Sequence, residues 1–112
     1  MWNVECLESQ QTHVEERTRD RLLHNARIYQ EPLTEEEAKQ KVLEIMRSCV
    51  VKDYQKIDPE TNLPKYKIRK YLPGSRNIFL TLLIVEDIET KTRKIKTLNT
   101  SFDELAPNWK RE

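Results

Sequence analysis

With 112 residues, 37% of them hydrophobic and 35% charged, the chain has apolar material for one thin core and too little length for a second domain. Its single glycine removes phosphate-cradling loops and dinucleotide fingerprints, which need glycines so that backbone can approach the phosphates. The net charge of +1 hides an uneven distribution: residues 1–47 carry 7 Lys/Arg against 10 Asp/Glu, and residues 48–112 carry 13 against 9, so any basic surface belongs to the second half.

Trp2, Val4 and Cys6 alternate with Asn3 and Glu5, which suits an edge strand within residues 1–9. Residues 10–49 read as a helical pair. From Gln10 to Tyr29 there is no Pro or Gly, and Val14, Leu22, Leu23, Ala26 and Tyr29 fall near one side of a helix that Gln30-Glu31-Pro32 ends. Thr34 and Glu37 form a capping box for a second helix, Leu33 and Ala38 suit a hydrophobic staple, and Glu35, Glu36 and Glu37 favour the positive end of the helix dipole. Ala38, Val42, Ile45, Met46 and Cys49 then recur at helical spacing and need a sheet or helix to cover them.

Residues 50–99 change to strand periodicity. Val50 to Ile57 is a strand, closed by the turn Asp58-Pro59-Glu60-Thr61-Asn62, where Pro59 presets the backbone and Asn62 tolerates a left-handed conformation. Lys65 to Leu72 alternates, with Lys65, Lys67, Arg69 and Tyr71 on one face and Tyr66, Ile68, Lys70 and Leu72 on the other. After the turn Pro73-Gly74-Ser75, Ile78 to Val85 is apolar on both faces and reads as the central strand. Asp87 to Thr92 is a turn, although its Glu-x-Lys has the residue types of a metal-dependent nuclease. Arg93 to Asn99 returns as a strand, with Lys94 and Lys96 on one face and Arg93, Ile95 and Thr97 on the other. Residues 100–112 form a tail with Phe102, Leu105 and Trp109 as docking points.

The expected architecture is therefore a single α+β domain, residues 1–112, with two helices packed on one face of a three- to four-stranded antiparallel meander sheet. The longest apolar run is too short to span a bilayer. Met1-Trp2-Asn3-Val4-Glu5 lacks the basic and apolar regions of a secretory signal, so a cytoplasmic, reducing setting is expected and Cys6 and Cys49 should be free thiols.

No catalytic constellation stands out, so an enzyme is disfavoured and no cofactor is implied. His13 and His24 are eleven positions apart, about 16 Å along a helix, too far to share a proton or a metal. The two cysteines lack the CxxC spacing of a zinc site, and no metal site is expected. What remains is binding. Phe79, Leu83 and Val85 on one face of the central strand, opposite Ile78, Leu80, Leu82 and Ile84, leave more apolar surface than two short helices can cover. The first expectation is a protein-interaction or adaptor module that acts through its sheet, alone or as a homodimer, with Phe79, Leu83, Val85 and Trp109 at the interface. The alternative is a single-stranded nucleic-acid binder using Lys65, Lys67, Arg69, Tyr71, Arg76, Lys94 and Lys96 as a basic sheet face with a stackable tyrosine. The order of elements is also similar to that of small bacterial ribonuclease toxins of the RelE type, a likeness of topology alone that implies RNA cleavage by basic residues on a sheet.

Overall fold

The computed structural model describes residues 2–101. Its strands are Asn3–Cys6 (β1), Asp53–Ile57 (β2), Pro64–Tyr71 (β3), Phe79–Asp87 (β4) and Thr92–Ser101 (β5), and they form one sheet in the order β1-β5-β4-β3-β2. A helical segment over residues 8–28 (α1) and the helix Glu35–Ser48 (α2) cover one face. Leu22 and Ala26 of α1 and Ala38, Val42, Ile45 and Met46 of α2 share a buried cluster with Ile68, Leu80, Leu82, Ile84, Ile95 and Leu98 of the sheet. Each of the Val, Leu, Ile and Met side chains among them contributes about 1.5–3 kcal/mol when fully buried.

The α+β class stands, and β2 to β5 form the antiparallel meander. The sheet nevertheless has five strands and is mixed, not three- to four-stranded and antiparallel. β1 runs parallel to β5, with Asn3 beside Thr92 and Cys6 beside Ile95. A pairing between residues so distant in sequence leaves no local pattern. β5 also continues through Thr100 and Ser101, residues expected in the tail.

α1 is not a uniform helix. It opens with a 3-10 turn at Glu8–Gln10, is α-helical over Gln11–Arg17, widens to a π-helical stretch over Thr18–Leu23 and returns to α-helix over His24–Ile28. Val14, Thr18, Leu22 and Ala26 recur every four residues, so on a straight α-helix they would drift around the surface; the wider turn keeps them on the sheet side. Asn25 Nδ2 donates to Thr100 Oγ1 at 2.8 Å and fastens this helix to β5. Gln30, at φ 58°, ends it, with Glu31 N–H donating to the Ala26 carbonyl at 2.8 Å, the pattern of a Schellman cap.

α2 begins as the sequence indicates. Glu37 N–H donates to Thr34 Oγ1 at 3.1 Å and Thr34 N–H donates to Glu37 Oε1 at 3.0 Å, and Ala38, Val42, Ile45 and Met46 are buried. Its far end is closed by Arg93, whose Nη1 donates to the carbonyls of Met46 at 2.7 Å and Cys49 at 2.8 Å. Arg93 Nε also donates to Glu86 Oε2 at 2.9 Å, and both side chains are buried. The expected grouping of Arg93, Ile95 and Thr97 on one face fails at Thr97. A bulge sets Leu83 opposite Thr97 but Ile84 opposite Ile95, so Lys96 is an extra residue and Thr97 changes sides.

Candidate functional site

The face of the sheet turned away from the helices carries most of the residues marked by the sequence. Cross-strand neighbours share a face, and Lys65, Lys67, Arg69 and Tyr71 of β3 stand opposite Val85, Leu83, Thr81 and Phe79 of β4. Tyr71 meets Phe79 edge to face, with ring centroids 5.1 Å apart. Phe79 and Val85 are buried, Leu83 is half-buried, and Trp109 lies outside the described residues, as do Phe102 and Leu105. The three apolar side chains therefore do not form a contiguous exposed patch.

The basic residues on this face are partly neutralised. Lys94, beside Val85, pairs with Glu5 of β1 at 3.3 Å. Lys96 pairs with Asp58 and, at 3.6 Å, with Glu60. Asp58 is buried and anchors the turn between β2 and β3: its Oδ2 accepts from Thr61 N–H at 3.0 Å and Thr61 Oγ1 at 2.9 Å, and Asn62 completes the turn at φ 58°. Burial pushes the Asp58 carboxyl up, but hydrogen bonds from Lys96 and Thr61 outweigh it and hold the group below its usual range. Arg76 is exposed in the turn before β4, apart from the lysine rows.

The segment that sequence reasoning passed over is the other side of the sheet's outermost hairpin. Among the described residues β2 is an edge strand whose only strand neighbour is β3, and all five of its residues are exposed. Four of the large apolar side chains most exposed to water fall on it or just before it: Val50 at 83%, Val51 at 74%, Tyr54 at 57% and Ile57 at 48%. β2 also carries a bulge. Asp53 faces Lys67 and Tyr54 faces Tyr66, but Lys56 faces Lys65 and Ile57 faces Pro64, so Gln55 is the extra residue.

The base of β2 is fixed. Lys52 Nζ donates to both carboxylate oxygens of Glu86 at 2.6 Å and sits 4.3 Å from the Tyr66 ring centroid, while the Arg93 guanidinium lies 4.5 Å from that of Trp2. Tyr54 meets Tyr66 edge to face at 5.8 Å. The exposed edge is thus held by an ion pair and an aromatic contact rather than left loose. Signals for it existed in the β-branched pair Val50-Val51 and the alternation after it, but an exposed and a half-buried strand share that pattern.

No family model, curated protein or solved structure matches the chain.

A cleft of about 690 Å³ lies between α1, α2 and β1, with Val4, Cys6, Val14, Val42, Leu43 and Met46 among its lining residues. Arg19 links its two sides by pairing with Glu15 at 3.8 Å and Glu35 at 3.6 Å. Burial, and then the Glu15 carboxylate, pushes the Cys6 thiol up, so it is held as a neutral thiol rather than as a nucleophile. Cys6 and Cys49 are both free. Among the described residues no helix is long and apolar enough to cross a membrane, and no three His, Cys, Asp or Glu side chains gather around a metal position. His13 is half-buried and His24 exposed. Asp87 ends β4 and Ile88–Lys91 form the turn after it, in which Asp87 Oδ1 accepts from Glu89 N–H at 3.1 Å.

Proposed function

We propose that the chain is a protein-interaction module that works through its sheet, and that the outer edge of β2 is where the partner docks. A strand with one paired side presents its remaining N–H and C=O groups in a row, and an added strand satisfies them while covering neighbouring side chains. The observation that carries the reading is the coincidence of that edge with Val50, Val51, Tyr54 and Ile57. The anchoring of Lys52 on Glu86 supports it further, because a pre-positioned strand loses less conformational freedom on docking. The test is a photo-crosslinking side chain placed in the cell at Gln55, with one at exposed His24 on α1 as the control. Covalent products from position 55 and none from position 24 are expected; no product from position 55 would overturn the reading.

Single-stranded nucleic acid is the weaker alternative. Lys65, Lys67 and Lys56 are clustered on one face of the outer hairpin, but Lys94 and Lys96 are engaged by Glu5, Asp58 and Glu60 and Lys67 faces Asp53. Nothing in the geometry favours the ribonuclease reading.

A further inference from the structure

We infer that the strand which docks on β2 is β2 of a second copy of this chain, running antiparallel about a two-fold axis normal to the sheet, with Asp53 opposite Lys56 of the second copy. The inference rests on the proposed use of the β2 edge and adds the identity of the partner and the register.

Two-fold symmetry makes the contact reciprocal: if residue 53 of one copy faces residue 56 of the other, residue 56 of the first faces residue 53 of the second. An axis normal to the sheet also keeps each face on its own side, so the two residues must point to the same face. In a regular strand, positions three apart point to opposite faces. The bulge at Gln55 removes this obstacle. Asp53 faces Lys67 and Lys56 faces Lys65, and Lys65 and Lys67 share a face because they are two apart on β3. Asp53 and Lys56 therefore share that face as well, and a symmetric dimer can form two identical Asp–Lys pairs.

Charge favours this register over its neighbours. Within one chain Lys56 faces another lysine, Lys65, and like charges directly opposite are unfavourable. Neither Asp53 nor Lys56 has an ion-pair partner among the described residues. Asp53 of a second copy supplies a carboxylate beside that lysine pair. Centring the pairing on Tyr54 instead would oppose Lys52, on the Tyr66 side with Tyr54, and Lys56 of the second copy, which the bulge has turned to the other face. Centring it on Gln55 would oppose Tyr54 and Lys56, which the bulge has turned to different faces. In the favoured register Tyr54 lies beside Gln55 of the second copy, and Lys52, beyond the end of β2, falls level with its Ile57.

The test is the solution mass of the full chain by sedimentation equilibrium from about 10 μM to about 1 mM, a range that detects even weak association. The wild type should pass from monomer to dimer. Asp53→Lys should stay monomeric because two lysines then oppose each other, and Lys56→Asp should do so because two carboxylates do. An equimolar mixture of the two variants should dimerise again, since one chain then carries lysine at both positions and the other a carboxylate at both. Restoration in the mixture also shows that neither variant has simply misfolded. A wild type that remains monomeric at 1 mM, a dimer that survives both single changes, or a mixture that stays monomeric overturns the inference. Crosslinks from position 55 to a different protein, with a monomeric wild type, would leave the β2 edge in use and remove only the second copy; their absence would remove both.

Discussion

Arg93 and Glu86 form an ion pair inside the fold, 2.9 Å from Nε to Oε2, and the same arginine holds two carbonyls at the end of α2. One side chain thus joins β5, β4 and α2. Removing one partner of a buried pair leaves an uncompensated charge, so Arg93→Ala should cost about 3–5 kcal/mol of stability, read from urea unfolding. Lys52→Ala should cost clearly less, because Lys52 is more exposed and Arg93 still neutralises Glu86. Equal losses for the two would contradict this division of roles.

The start of α2 gives a second expectation. Thr34→Ala removes the hydroxyl that accepts from Glu37 N–H and should cost ~0.5–2 kcal/mol. Hydrogen bonds from the Thr34 backbone and then its side chain hold the Glu37 carboxyl below its ordinary 4.5. A carboxyl lowered by folding stabilises above its unfolded value and loses that contribution as pH falls through the folded one. Wild-type stability should therefore decline on acidification below about 4.5, and that decline should be shallower in Glu37→Gln, which has no carboxylate for Thr34 to hold; parallel curves would show that Glu37 does not set it.

Asp58 adds to the same acid response from another part of the molecule. Its carboxyl is held below the ordinary 3.8 by Lys96 and Thr61 despite the opposing effect of burial, so protonation releases the turn between β2 and β3. Replacing Lys96 with methionine should destabilise the chain at neutral pH and flatten its stability below about pH 4. Amide exchange in residues 58–63 should quicken in that variant before exchange in β4 does; uniform quickening would mean that the turn is not a separate unit.

Gln30 occupies the left-handed region at φ 58°, where a side chain costs energy that glycine avoids. Gln30→Gly should raise stability by about 0.5–1 kcal/mol, the part of that cost left after glycine's greater unfolded freedom is subtracted. Thermal unfolding of the two proteins at equal concentration checks this, and a lower midpoint for the variant would contradict it.

The features legible in the sequence are those whose cause is local. The Thr34/Glu37 box, the Ala38–Val42–Ile45–Met46 stripe, the doubly buried centre of β4 and the Asp58–Asn62 turn each follow from residues within a few positions of one another. The rest depends on partners distant in sequence or on one inserted residue. β1 finds β5 in parallel only once the chain has folded, and the carbonyls that Arg93 holds at the end of α2 lie 44 and 47 positions away from it in sequence. The bulges at Gln55 and Lys96 shift the alternation by one, which moved Thr97 to the other face and hid the shared face of Asp53 and Lys56. Apolar content alone placed the interface on Phe79, Leu83 and Val85. Phe79 and Val85 are buried in the folded chain, and the exposed apolar residues collect one hairpin further out.

Docking along β2 is tested most directly by amide hydrogen exchange of the full chain, measured residue by residue at about 10 μM and about 1 mM. Pairing through this edge protects the outward amides of Asp53–Ile57, so their exchange should slow at the higher concentration while that of Asn3–Cys6, on the opposite edge, stays the same. Exchange in Asp53–Ile57 that is independent of concentration, or protection that appears on Asn3–Cys6 instead, would contradict self-association along this edge.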